Sequence, residues 1–211
     1  YVRKNVQTIY NPASDKKIFA RNKGNQYFKK FDKKNQKIIL NVGFFEEQKD
    51  QMTILKAFNL VKKKFKNVKL ILIGRGSLYQ NLKKYVVKND LNNDVIFFTN
   101  INNPEIFYKK ANLFVLSSIY EGFGNVLVEA LNHKCPVITS NCKSGPMEII
   151  ENGKYGYFFN VGDYFELSKK ILKFLKNPNE LKKKTIQSKK ILGRFTLKEN
   201  SNKFEKLFKR V

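Results

Sequence analysis

The 211-residue chain has no tryptophan, two cysteines, two methionines, five prolines and one histidine, and its 17 acidic side chains face 42 basic ones. Each scarcity excludes something. Cys135 and Cys142 sit in or beside a predicted buried strand without a partner pair, so neither a disulfide framework nor a zinc site is supported. A reducing, cytoplasmic setting is the simplest reading of that usage. No apolar run approaches the ~20 residues that span a bilayer, and Tyr1-Val2-Arg3-Lys4-Asn5 does not read as a signal peptide. The lone His133 falls near the end of a predicted helix, where the helix dipole explains it better than catalysis does. An Asp-x-Asp metal motif is absent, and neither a metal nor a cofactor is expected.

The scarcity of acidic residues leaves a formal net charge of +25, nearly all of it lysine. Such a charge is drawn to nucleic acid or to an anionic membrane surface. A coding bias that fills solvated faces with lysine is an equal alternative, since Asn, Ile and Phe are abundant too. The shortage of arginine, the residue suited to bidentate phosphate and base contacts, argues against nucleic acid.

From Lys37 onward the apolar residues are regular. Strands are predicted at 37–42, 68–73, 94–98, 113–117, 136–139 and 155–159, as short continuous apolar runs. Helices are predicted at 50–65, from a Ser77 cap to 88, after Pro104, and at 125–133, 163–176, 179–191 and 197–209. Met52, Leu55, Ala57, Phe58 and Val61 make the apolar face of the first helix, and lysines fill the other. Asp163 reads as a helix cap. Apolar strands alternating with amphipathic helices predict an α/β fold, a Rossmann-like doubly wound parallel sheet covered on both faces. Its ligand site belongs at the carboxyl ends of the strands.

One stretch carries chemistry: Ser117-Ser118-Ile119-Tyr120-Glu121-Gly122-Phe123-Gly124-Asn125-Val126-Leu127-Val128-Glu129-Ala130-Leu131. Gly122 and Gly124 permit positive φ and close approach of a ligand to the backbone. The first amides of the helix, at Gly124, Asn125 and Val126, would face a diphosphate. A tight strand-to-helix turn would look the same. The two carboxylates tilt the balance, because acceptor-only groups suit the vicinal hydroxyls of a ribose or hexose. Taken singly, Glu121 could be a plain loop acid and Glu129 a helix-dipole glutamate. Their spacing around one glycine loop favours a ligand.

Glu121 and Glu129 flank seven residues, and the segment resembles the E-x7-E signature of GT-B fold, family 4 retaining glycosyltransferases. The likeness continues through Ala130-Leu131-Asn132-His133-Lys134-Cys135-Pro136-Val137-Ile138, and upstream through Val42-Gly43, Gln48-Lys49-Asp50 and Ile73-Gly74-Arg75-Gly76. Downstream it takes in Ser144-Gly145-Pro146-Met147-Glu148-Ile149-Ile150 and Asn152-Gly153. The resemblance implies that Glu129 holds the ribose and Glu121 the donor sugar, with the Phe123 and Gly124 amides orienting it. It implies that the Asn125 and Val126 amides meet the diphosphate beside Gly43, with Lys49 as the cation that neutralises it. Glu121 and Lys49 are then the expected catalytic pair, and Gly122 belongs to the donor-binding loop. Where the family has a phosphate-gripping arginine this chain has Phe44, so Arg75 or Lys143 must substitute or the diphosphate is held more weakly. Residues 144–148 either begin a helix facing the acceptor or form a turn capped by Ser144 with Pro146 in its first turn.

The expected organisation is a connector over 1–36, a donor-binding domain over 37–195 and a helix over 196–211 that crosses back to an N-terminal domain. A chain of that kind is a fragment, inactive alone. The expected donor is a UDP-hexose or UDP-N-acetylhexosamine, with GDP as alternative, and the expected acceptor is a bacterial surface glycan or lipid-linked glycan. The expected partners include an anionic membrane surface and no nucleic acid, with the protein peripheral at the inner face of the membrane. Two other readings stand beside this one: a non-catalytic basic module for nucleic acid or anionic lipid, and another nucleotide-sugar enzyme such as an epimerase.

Overall fold

The computed structural model describes residues 8–10, 12–13, 28 and 36–209. The remainder of the expected 1–36 connector lies outside the described residues. Six parallel strands form one sheet: β1 (Lys37–Val42), β2 (Val68–Ile73), β3 (Val95–Phe98), β4 (Leu113–Leu116), β5 (Val137–Ser140) and β6 (Tyr157–Phe159), in the order β3-β2-β1-β4-β5-β6. The helices described are α1 (Gln51–Lys64), α2 (Tyr79–Lys88), α3 (Glu105–Lys110), α4 (Asn125–Asn132), α5 (Gly145–Ile149), α6 (Tyr164–Lys176), α7 (Asn179–Gln187), α8 (Lys189–Leu192) and α9 (Leu197–Phe208). The expected Rossmann-like doubly wound sheet is what forms.

The continuous apolar strands are explained by burial on both faces, with alternate residues feeding two separate cores. Ile39, Leu70, Leu72 and Val115 pack under α1, α2 and α6, beside Phe58, Leu82 and Ile171. Ile38, Leu40, Ile71 and Phe114 pack on the opposite face against Phe107, Leu127, Val128 and Ile149 of α3, α4 and α5. The helices after β1 and β2 therefore cover one face, and those after β3, β4 and β5 cover the other. That change of side makes β1 and β4 neighbours, at the topological switch point.

The ladder at the switch point is short. β1 pairs with β2 over six residues, from Lys37↔Val68 to Val42↔Ile73. It pairs with β4 only at Ile39↔Leu113 and Leu40↔Phe114. Beyond Leu40 the two strands part, and buried Asn41 bridges them, its Nδ2 donating to the Val115 carbonyl at 2.9 Å. The loops that follow β1 and β4 thus leave the sheet along diverging paths, and a cleft opens between them.

Two local expectations need correction. The helix expected at 179–191 is interrupted: α7 ends at Gln187, and the hydroxyl of buried Ser188 turns back to the Thr185 carbonyl at 2.7 Å before α8 begins. Ser77 does not cap α2, which starts at Tyr79 after an uncapped Leu78. The Ser77 hydroxyl instead donates to Glu46 at 2.7 Å, tying the loop after β2 to the loop after β1. Asp163 caps α6 as expected, accepting from the Glu166 amide at 2.8 Å.

The same two loops touch backbone to backbone at Gly74, where a Cβ would lie 1.9 Å from the Gly43 carbonyl oxygen. Gly74→Ala is expected to destabilise the domain by about 1–3 kcal/mol, the usual cost of overpacking. Gly193 has φ −56 and open space around it, so Gly193→Ala is expected to be neutral or to stabilise by up to about 1 kcal/mol. Urea denaturation of the two variants checks both.

Candidate functional site

The carboxyl ends of β1 to β4 frame a cleft of about 700 Å³, and among the described residues its charged lining side chains are Lys49, Arg75 and Glu121. Its geometry begins with the way two loops are stitched together. After β1 the chain passes Gly43 and an outward Phe44, then buries Phe45 against Tyr79 and Phe97. It tightens into a 3-10 turn at Glu47–Lys49 and enters α1 at Asp50, which caps the helix by accepting from the Thr53 amide. After β4, Ser117 Oγ donates to the Lys49 carbonyl at 2.7 Å, and the Ile119 amide donates to the Gln48 carbonyl at 2.8 Å. Gln48 Nε2 returns a bond to the Tyr120 carbonyl at 2.9 Å. These bonds bridge the gap left by the short β1–β4 ladder.

The stitching brings Lys49 Nζ to 2.6 Å from Glu121 Oε1, with the lysine side chain 18% and the carboxylate 6% exposed. Ser118 Oγ donates to the same oxygen at 2.6 Å. A pair this sheltered is screened far less by salt than the protein's many surface lysines.

The glycine loop is held from behind. Ser140 Oγ donates to the Ser118 carbonyl and Ser144 Oγ to the Glu121 carbonyl. Gly145 lies so close that a Cβ there would sit 1.8 Å from the Phe123 carbonyl oxygen. Ser144 occupies the N-cap position of α5 with φ 76, a region that L residues seldom adopt, and its side chain makes no capping bond. The expected Ser144 cap is therefore a tie to the glycine loop, while Pro146 does fall in the first turn of α5. With the carbonyls turned back, the amides of Phe123, Gly124, Asn125 and Val126 have no hydrogen-bond partner among the described residues. Gly124 is the left-handed N-cap of α4, at φ 93. Gly122 does not take positive φ; it is simply exposed, and it does not line the cleft.

Of the site residues expected from sequence, the structure brings Gly43, Lys49, Glu121, Phe123, Gly124, Asn125 and Val126 to the lining of one cleft. Glu129 lies a turn into α4, outside that lining, where Tyr108 donates to its Oε2 at 2.9 Å. Burial pushes the Glu129 carboxyl above its ordinary 4.5, against the lowering effect of that hydrogen bond. The Tyr108 ring stacks on His133 at 5.9 Å. Of the two cations considered in place of an arginine at 44, Arg75 lines the cleft and Lys143 does not. Sequence reasoning missed the loop of Thr99, Asn100, Ile101 and Asn102 after β3, which forms the far wall. Its only signal was its place at the carboxyl end of a strand. Cys135 and Cys142 are buried free thiols whose burial raises their pKa, so neither is poised as a nucleophile. Among the described residues no group of three or more His, Cys, Asp or Glu is placed to hold a metal ion.

The rings behind the loop bring distant parts of the chain together. Tyr10 lies 5.7 Å from Phe123 and 5.3 Å from Phe195, and Phe123 lies 5.3 Å from Phe195. The Ala13 amide donates to the Phe195 carbonyl at 2.8 Å.

Comparison with known proteins gives a consistent picture. The sequence model of the family described as glycosyl transferases group 1 matches residues 22–191. An uncharacterized glycosyltransferase of Methanocaldococcus jannaschii is 39% identical over 117 residues, 56% of this chain and 29% of its own length. The capsular polysaccharide biosynthesis glycosyltransferase CapM of Staphylococcus aureus is 30% identical over 186 residues, 78% of this chain and 48% of its own. Among solved structures, a mutant of Staphylococcus aureus TarM in complex with Fondaparinux, alpha-GlcNAc-glycerol and UDP superposes with a TM-score of 0.76 at 25% identity. It covers 82% of this chain and 35% of that one. The chain thus spans less than half the length of these relatives.

A carboxyl whose folded pKa is raised holds its proton more tightly in the folded state, so stability falls as pH rises from 4.5 through the raised value. Glu129→Gln keeps an acceptor for Tyr108 and removes the charge. The variant is expected to match the wild type in urea denaturation at pH 4 and to be the more stable at pH 7; equal stability at both would contradict this.

Proposed function

The chain belongs to the glycosyl transferases group 1 family, and we propose that it is the donor-binding half of a family 4 retaining enzyme that moves a hexose or N-acetylhexosamine from UDP. The observation that carries this is the sheltered Lys49–Glu121 pair at the switch-point cleft, beside amides at the start of α4 that have no partner among the described residues. Amides and a fixed cation answer a diphosphate, and an acceptor-only carboxylate answers sugar hydroxyls.

In this reading the diphosphate lies against the amides of Asn125 and Val126, with Lys49 across from it and Gly43 allowing close approach. Phe123, Gly124 and Glu121 address the sugar. Glu129 turns its free Oε1 to the ribose while Tyr108 holds Oε2. Arg75 takes the part of the arginine missing at Phe44, since it lines the cleft without a carboxylate partner among the described residues. During transfer the bond from the anomeric carbon to the diphosphate oxygen breaks, and a bond to the acceptor oxygen forms on the same face. The acceptor proton passes to a diphosphate oxygen. Lys49 and the amides stabilise the charge that grows on the leaving group, in a geometry set before the reaction begins.

The preference for UDP and for a bacterial surface glycan as acceptor draws on the relatives: TarM was crystallised with UDP and alpha-GlcNAc-glycerol, and CapM takes its name from capsular polysaccharide biosynthesis. The proposed organisation keeps a connector over 1–36, the donor domain over 37–195 and a terminal helix over 196–211. The acceptor wall would belong to an N-terminal domain, so this chain alone would bind donor and transfer little. No described helix is long and apolar enough to cross a membrane. The net charge of +25 would instead hold the enzyme at an anionic leaflet.

Calorimetric titration with UDP, GDP and their hexose conjugates at low and moderate salt tests the reading, beside Glu129→Ala. Nucleotide-selective binding that survives moderate salt and weakens by about 1–3 kcal/mol in the variant is expected, the worth of a hydrogen bond to a charged group. Unselective binding that fades with salt and ignores Glu129 would instead make this a basic module. UDP-hexosamine turnover without an acceptor would make it an epimerase-like enzyme. Appreciable transfer by this chain would overturn its assignment as a donor half.

A further inference from the structure

In that reading Lys49 and Glu121 answer different parts of one ligand, the diphosphate and the sugar, yet the two side chains also answer each other at 2.6 Å. Resting on the nucleotide-sugar reading of the cleft, we infer that the pair is an exchange switch that makes the site favour a nucleotide sugar over the free nucleotide and helps the spent nucleotide leave.

The argument follows from burial and anchoring. Glu121 has a side chain only 6% exposed, and among the described residues the donors on its carboxylate are Lys49 Nζ and Ser118 Oγ, both to Oε1. The carboxylate is held back from following the lysine, because Ser118 donates to its tip and the Ser144 hydroxyl, shared with the Lys143 carbonyl, lies against its backbone carbonyl. A nucleoside diphosphate alone draws Lys49 toward phosphate and leaves a buried carboxylate without its counter-charge, which is strongly unfavourable. A nucleotide sugar draws Lys49 away equally but brings hydroxyl donors to the same carboxylate. After transfer those hydroxyls depart with the acceptor, and Glu121 competes again for Lys49 against the diphosphate. Arg75, without a carboxylate partner among the described residues, stays with the phosphates in either state and takes no part in the exchange.

Calorimetry on the whole chain tests this with UDP, GDP and their hexose and N-acetylhexosamine conjugates, on wild type and Glu121→Gln. Glu46→Gln, on the same loop with its carboxylate held by Ser77, controls for loss of a nearby negative charge. Glu121→Gln is expected to bind the free nucleotide about tenfold more tightly, roughly 1.4 kcal/mol, and the preferred nucleotide sugar more weakly. Glu46→Gln is expected to change both ligands in parallel. Free-nucleotide affinity that stays level or falls in Glu121→Gln means Lys49 keeps its partner while binding phosphate, and the switch is wrong. Parallel tightening of both ligands means simple relief of repulsion, and the switch is wrong again. A wild type that binds none of these ligands removes the underlying function, a separate failure. Ser118→Ala supplies a second arm should Glu121→Gln fail to fold: freed from its anchor, the carboxylate can follow Lys49, and the preference for nucleotide sugar over nucleotide is expected to shrink. An unchanged preference in Ser118→Ala counts against the exchange.

Discussion

Everything that positions the cleft depends on how early β1 and β4 stop pairing. Two residue pairs hold the centre of the sheet together, where six hold β1 to β2. Past them the backbone hydrogen bonds that a parallel ladder would make must be replaced, since buried polar backbone is costly to leave unmade. Asn41 replaces one, and Ser117, Ile119 and Gln48 replace others by linking the two outgoing loops. The cleft is thus a parting of strands whose edges are sewn together one layer higher. Lys49 and Glu121 face each other because their loops are the two sewn edges.

The electrostatics of the molecule work on two separate scales. The surface is crowded with lysine, which supplies a diffuse field sensitive to salt. Inside the cleft the balance is local, with two cations and one carboxylate on its lining among the described residues. The net charge of +25 is therefore a property of the outer surface and not of the cleft.

Legibility in the sequence followed the physics of each feature. Residues 37–42 and 68–73 were legible because strands buried on both faces are near-continuous apolar runs, here six residues long and too short for a typical helix. The glycine loop was legible as a strand-to-helix connection because its glycines stand between an apolar strand and an amphipathic helix, and of its two glutamates Glu121 lines the cleft while Glu129 does not. What escaped reading depended on partners far along the chain. Ser77 looked like a cap, but Glu46, 31 residues away, takes its hydroxyl. Ser144 looked like a cap, but it ties down the Glu121 carbonyl instead. Ser188 interrupts a helix that its neighbours would have continued. Gly122 was credited with a backbone conformation that only Gly124 adopts. The wall at residues 99–102 is a polar loop with no periodicity, and only the order of the strands shows that it faces the site.

The three rings of Tyr10, Phe123 and Phe195 bear on where this folding unit begins and ends. Judged by the sheet, it could be trimmed to start at residue 36 and to stop soon after β6, because every described strand lies within those bounds. Judged by the rings, it could not, since Tyr10 and Phe195 together form the back wall of a residue that lines the cleft. The smallest piece that keeps its strands is thus smaller than the smallest piece that keeps the glycine loop in shape, and the difference is a contact between the two outer segments of the chain.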